Sequence, residues 1–171
     1  MKLKLLASTL TAAGILLGCD STVANPPNST TFVCDKDLSG IPTTFAVTSR
    51  GRVSVIKWIS EYFTGSGWNP EQRCQEVSER FQQLYSAGRL NYLSAGRQNG
   101  QPVLCALRSS THTEDCALLF TLKPGDDATR LLEQLRQIAR GDAAAGPVLG
   151  GIRAGAPVVN MRNFLKNAPV E

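Results

Sequence analysis

Five cysteines, one histidine and a serine set between glycines are the side chains of this 171-residue chain that first suggest nucleophilic chemistry. A cysteine or serine hydrolase needs its nucleophile within hydrogen-bond reach of an imidazole, so the arrangement to weigh is Cys74 or Ser66 with His112. Cys74 falls near the start of a predicted helix, a place that lowers a thiol pKa, yet its position on the apolar face equally suits a buried disulfide. Gly65-Ser66-Gly67 is not the G-x-S-x-G elbow and precedes Trp68 in a loop instead of joining a strand to a helix. His112 sits in the polar stretch RSSTHTED (108–115) and reads as a solvated loop residue. A single histidine with Glu114, Asp115, Asp126 and Asp127 gives neither zinc spacing nor an EF-hand loop, and no phosphate-binding fingerprint is present. The expectation is a non-enzymatic chain with no cofactor and no metal.

The cysteines have a different arithmetic. Residues 1–18, MKLKLLASTLTAAGILLG, carry a positive start at Lys2 and Lys4 and an apolar run too short for the roughly 20 residues a bilayer span takes. They read as a secretory signal, and Leu16-Leu17-Gly18-Cys19 matches the bacterial lipobox, in which the cysteine sulfur is lipidated and the chain is cut just before it. The plain alternative is an ordinary signal peptide with a chance cysteine at its end. Each acyl chain contributes about 0.8 kcal/mol per buried CH₂, and two or more give lasting attachment. Cys19 is thus the expected tether, on the extracytoplasmic side of a membrane, periplasmic or thylakoid-lumenal.

That leaves Cys34, Cys74, Cys105 and Cys116, an even number in an oxidising compartment, with no C-x-x-C among them. Two disulfides are expected. Four cysteines allow three pairings and sequence alone does not choose; the one favoured here is Cys34 with Cys74 and Cys105 with Cys116. Cleavage takes the 18 lysines and arginines to 16 against 14 acids, too slight an excess to argue for nucleic acid. The partners expected are the membrane, through the anchor, and a membrane or extracytoplasmic protein.

The elements that hold these residues can be read from patterning. Residues 19–31 are polar and proline-containing, as a flexible linker is. Short β-type runs follow at 32–34, 43–48 and 53–60. Asn69-Pro70-Glu71-Gln72 then predicts a helix, with Asn as cap, Pro at the first helical position and Gln in the reciprocal slot of a capping box. Cys74, Val77, Phe81, Leu84 and Tyr85 share one face of it, and Gly88 ends it. Three more β runs, 90–95, 102–107 and 116–122, surround an Asn99-Gly100 hairpin turn. In the last, Cys116, Leu118, Phe120 and Leu122 alternate onto one face, which directs Cys116 toward the core or its rim. Asp126 and Asp127 open a second helix whose stripe is Ala128, Leu131, Leu132, Leu135, Ile138 and Ala139, closed by Gly141.

The order βββαβββα, with connections too short for most parallel crossovers, predicts one α+β domain over 32–141 with a mainly antiparallel sheet of about six strands packed with two helices. Residues 142–171 form a Gly/Ala/Pro-rich extension in which 158–167 predicts one short helix. Packing of that helix on the domain is favoured over membrane contact, because Arg162 and Lys166 alone supply little attraction to lipid. The aromatic run WISEYFTGSGW gives Trp58, Tyr62, Phe63 and Trp68 as a candidate contact patch, or as a cover for the core. A deep apolar pocket beside Trp58 or Trp68 would instead mark a small-ligand carrier.

The blocks FVC (32–34), WIS (58–60), PEQRCQEVS (70–78), RF (80–81), NGQPVLC (99–105) and LFTLKP (119–124) resemble the cyanobacterial circadian oscillating polypeptide family over almost the whole predicted domain. The resemblance implies a cyanobacterial source and peripheral association with a membrane. It also implies an abundance that is rhythmic in the family's founding example, and no established enzymatic activity or cofactor. It supplies no catalytic residues. The lipobox departs from a purely peripheral association, replacing it with a covalent anchor.

Overall fold

A computed structural model describes residues 29–112, 114–141 and 158–171. Cys19 and most of the 19–31 linker lie outside the described residues. Three strands, β1 (Thr31–Lys36), β2 (Pro42–Thr48) and β3 (Gly51–Lys57), form an antiparallel sheet in that order. Helix α1 (Pro70–Ser86) covers one face of it. A second antiparallel sheet contains β4 (Tyr92–Gln98), β5 (Gln101–Leu107), β6 (Ala117–Thr121) and β7 (Val158–Asn160), ordered β6-β5-β4-β7, and α2 (Ala128–Arg140) and α3 (Met161–Asn167) pack together beside it. The fold is α+β and antiparallel, as the sequence predicts, but with two sheets.

Local chemistry explains the boundaries of the helices. Asn69 and Gln72 form the reciprocal capping box, Asn69 Oδ1 accepting from Gln72 N at 2.9 Å and Gln72 Oε1 from Asn69 N at 3.1 Å. Asp127 accepts the Thr129 and Arg130 amides at the start of α2, and Gly141 ends that helix in the left-handed region at φ 81°. Asn99 and Gly100 both have positive φ, 52° and 77°, which is what a type I′ turn between β4 and β5 demands.

The core is one cluster shared by both halves. From the first come Phe32, Val53, Val55, Trp58, Cys74, Val77 and Phe81, and from the second Leu93, Leu104, Leu119, Leu132 and Leu135. The strict alternation expected along 116–122 does not hold. Leu104 pairs with Phe120 and Cys105 with Leu118, so Leu119 is an inserted residue, a β-bulge. It turns Phe120 and Leu122 into the core while Leu118, and Cys116 two residues before it, stay on the opposite face.

The C-terminal helix packs on the domain, as its sequence favours, but the segment differs from expectation in how it begins and in how fully it is built into the body. Residues 158–160 are a strand before the helix, pairing with β4 (Leu93 opposite Val159), and Val159, Met161, Phe164 and Ala168 are each buried in the common core. The predicted domain end at 141 is therefore corrected: the last strand and helix belong to the folded body. Their apolar positions are too few for periodicity to distinguish strand from helix, and their placement is decided by docking. Arg50, in the turn between β2 and β3, donates from its guanidinium to the carbonyls of Leu165, Lys166 and Ala168, and Asn167 Nδ2 donates to Ala139 O of α2 at 2.6 Å. A cation on the last carbonyls of α3 satisfies groups the helix itself cannot pair.

Asp37 closes the β1–β2 connection. Its Oδ1 accepts the amides of Ser39 and Ile41 at 2.9 Å each, and its Oδ2 receives Lys57 Nζ at 2.6 Å. The Lys57 bond first, then the Ile41 amide, hold the Asp37 carboxyl below its ordinary 3.8. A carboxyl lowered in this way stabilises the fold above its unfolded pKa, and that stability is lost as pH falls through the folded value. In an acid titration of unfolding free energy, the wild type is expected to lose stability progressively below about pH 4. Asp37→Asn should start lower at neutral pH and decline less steeply. Parallel curves for the two proteins would remove Asp37 from the acid sensitivity.

Candidate functional site

The aromatic run divides in the structure. Trp58, at the end of β3, is buried: its indole Nε1 donates to Thr44 Oγ1 at 3.0 Å, Ser78 Oγ of α1 donates to the same hydroxyl at 3.0 Å, and its ring meets Phe120 edge-on at 5.1 Å. A buried indole needs a partner for its N–H, and the threonine supplies it. Trp58 is accordingly corrected from patch to core. Tyr62 and Trp68 are 58% and 45% exposed. Phe63 stacks edge-on against Tyr62 at 4.9 Å, and the Trp68 amide returns to the Phe63 carbonyl at 3.1 Å.

Arg73 of α1 organises this surface. Its guanidinium carbon lies 4.8 Å from the Trp58 ring centre and 4.5 Å from that of Phe63, so the charge is held between the two aromatic rings. Its Nη2 donates to Thr121 O at 2.9 Å, and one turn pair further on Arg80 Nη1 donates to Leu119 O at 3.2 Å while pairing with Glu76 at 2.8 Å. Leu119 and Thr121 alternate along the free edge of β6. The two arginines thus occupy carbonyls that an unpaired edge would present to another chain, and they fasten α1 to the edge of the second sheet. Burial lowers the Arg73 pKa from the ordinary arginine value. A shallow pocket of about 270 Å³ lies among Phe63, Trp68, Arg73, Val77 and Arg80.

Cys34 is bonded to Cys74, joining β1 to α1 with Cα atoms 5.4 Å apart. Cys105 is bonded to Cys116, joining β5 to the residue before β6 with Cα atoms 5.1 Å apart. Cys105 alternates with Leu104 and Ala106, which face the common core, so the second bridge lies across the other face of its sheet. Gly96 of β4 makes room there: a Cβ on it would come within 3.3 Å of Cys105 Sγ. With its sulfur in a disulfide and no accessible surface, Cys74 presents no thiolate. Ser66, in the one-turn 3₁₀ segment Thr64–Ser66, is exposed and donates its hydroxyl to Phe63 O at 2.8 Å. His112 is exposed in the loop after β5.

A second concave surface, of about 1220 Å³, lies at the other end of α1. Arg50, Arg108, Arg162 and Lys166 line it, with Ser29 and Thr30, where the chain enters β1, at its rim. Tyr85 at the end of α1 reaches this cleft and Asn69 at its start lies beside the aromatic surface, so the two are separated by the helix length, about 25 Å. Sequence patterning places Arg73 and Arg80 only on the polar faces of a helix and treats Arg162 and Lys166 as two isolated charges. Their seven-residue spacing gives the first pair a shared face, but nothing local reveals the β6 edge or the approach of Arg50 and Arg108.

Fold and surface together define a disulfide-stabilised α+β module with an exposed aromatic patch. A family model described as Circadian oscillating protein COP23 matches residues 31–166, and the chain belongs to that family. The match runs through β7 and most of α3, in keeping with their place in the core. No curated protein and no solved structure matches.

Proposed function

We propose that this protein is a lipid-anchored extracytoplasmic module that works at a membrane surface by binding or by structural support, with Cys19 as its tether. The observation that carries the reading is the cysteine count. Four of the five are joined in two disulfides, which leaves the odd one at the end of a lipobox. Disulfides accord with an oxidising compartment. The surface formed by Tyr62, Phe63 and Trp68 is the contact area for a protein partner, since exposed aromatic side chains bring large apolar area at small entropic cost. Incorporation of labelled fatty acid is expected in the wild type and absent in Cys19→Ala; equal labelling of the two would remove the anchor.

A further inference from the structure

We infer that the cleft lined by Arg50, Arg108, Arg162 and Lys166 binds oxyanion-bearing groups of the phosphate type. Five cations elsewhere are paired, Arg52 with Asp35, Lys57 with Asp37, Arg80 with Glu76, Lys123 with Asp126 and Arg136 with Glu133, while Lys36, Arg73, Arg89, Arg97, Arg130 and Arg140 form no ion pair among the described residues; what sets the cleft apart is that four such cations line one concavity. The four cations of the cleft form no ion pair among the described residues, and no described residue lining it is acidic. Glu114 and Asp115, in the loop that follows Arg108, are not part of the lining.

Like charges gathered in a concavity focus the field and raise the local concentration of anions. The arrangement is also fixed in advance. Arg50 is held by three carbonyls of the α3 end, and α3 carries Arg162 and Lys166 on its exposed side while burying Met161 and Phe164. Three of the four charges therefore stand on a docked helix and a hairpin turn, and the fourth, Arg108, directly follows β5, where its carbonyl accepts from Asn91 Nδ2 at 3.0 Å.

The anion can come from solution or from a lipid headgroup. Ser29 at the rim is ten residues after Cys19, a distance of at most about 35 Å when extended. A chain tethered there keeps the cleft within reach of the bilayer, and this choice of source rests on the anchored reading whereas the anion site does not.

The test uses the mature, full chain and follows amide hydrogen exchange over 158–168. The probes are glycerol phosphate in solution and nanodiscs of phosphatidylcholine with or without phosphatidylglycerol. Slower exchange with phosphatidylglycerol alone assigns the headgroup, and slower exchange with glycerol phosphate assigns a soluble ligand; either supports the site. The protection is expected to shrink at high salt and to fall about fivefold for each cation neutralised. The variant is Arg108→Gln/Arg162→Gln/Lys166→Gln, all exposed positions, with Arg50 kept because it holds α3. Exchange unchanged by both probes, or slowed equally in wild type and variant, would overturn the proposal. Failure to enter phosphatidylcholine nanodiscs would count against the anchor alone, because the glycerol phosphate arm still reads the cleft.

Discussion

Replacing Cys34 and Cys74 together by alanine is expected to lower the unfolding free energy by about 4 kcal/mol, the larger of the two disulfide losses. The bridge spans 40 residues of sequence and the Cys105–Cys116 bridge only 11. On the chain-entropy account a longer closed loop restrains the unfolded state more, and the shorter bridge is worth about 3 kcal/mol. Position adds to the difference. The first bridge joins β1 to α1 in the core beside Phe32 and Phe81, with Cys74 fully enclosed, so its removal also leaves unfilled volume. For a domain of this size about 4 kcal/mol corresponds to a fall in Tm of roughly 10 °C. Thermal unfolding of the two double variants, followed by circular dichroism, compares them directly. A Cys105→Ala/Cys116→Ala protein less stable than Cys34→Ala/Cys74→Ala would contradict this ranking.

Phe164→Ala is expected to cost about 3–5 kcal/mol, the range for emptying a buried aromatic site. The side chain is 1% exposed in the cluster that also holds Val159, Met161 and Leu135. Its helix has only seven residues and would not form alone in water; it is held by that burial, by Arg50 on its last carbonyls and by Asn167 on α2. Denaturant titration should give a lower midpoint with the slope unchanged. A midpoint equal to wild type would return the C-terminal residues to the status of an appendage.

Local chemistry makes much of the fold legible. The Asn69 capping box, the Asn99-Gly100 turn and the Asp127 cap each depend on a few adjacent residues, and each is formed in the structure. Features set by distant partners are not legible in that way. The bulge at Leu119 follows from how β6 meets β5, and it reverses the face predicted for Phe120 relative to Cys116. Strand β7 exists because β4 has a free edge, which three residues of apolar sequence do not announce. Trp58 leaves the aromatic patch because Thr44 lies 3.0 Å from its indole nitrogen, a contact across 14 residues. The same limit applies to the candidate surfaces. Tyr62, Phe63 and Trp68 are neighbours in sequence and are found together, whereas Arg50, Arg108 and Lys166 meet only through the folding of both halves.

The two surfaces have a simple spatial relation. Helix α1 separates the aromatic patch from the cationic cleft, and the chain enters the body at the cleft end.

The account rests on one sulfur being acylated while the other four are bonded to each other. Intact-mass spectrometry of the protein extracted from membranes, unfolded in an alkylating reagent without reductant, tests this most directly. The expected species begins at Cys19, carries the mass of its acyl groups and takes up no alkyl group. A chain that retains residues 1–18, lacks acyl mass or is alkylated at any cysteine would contradict it.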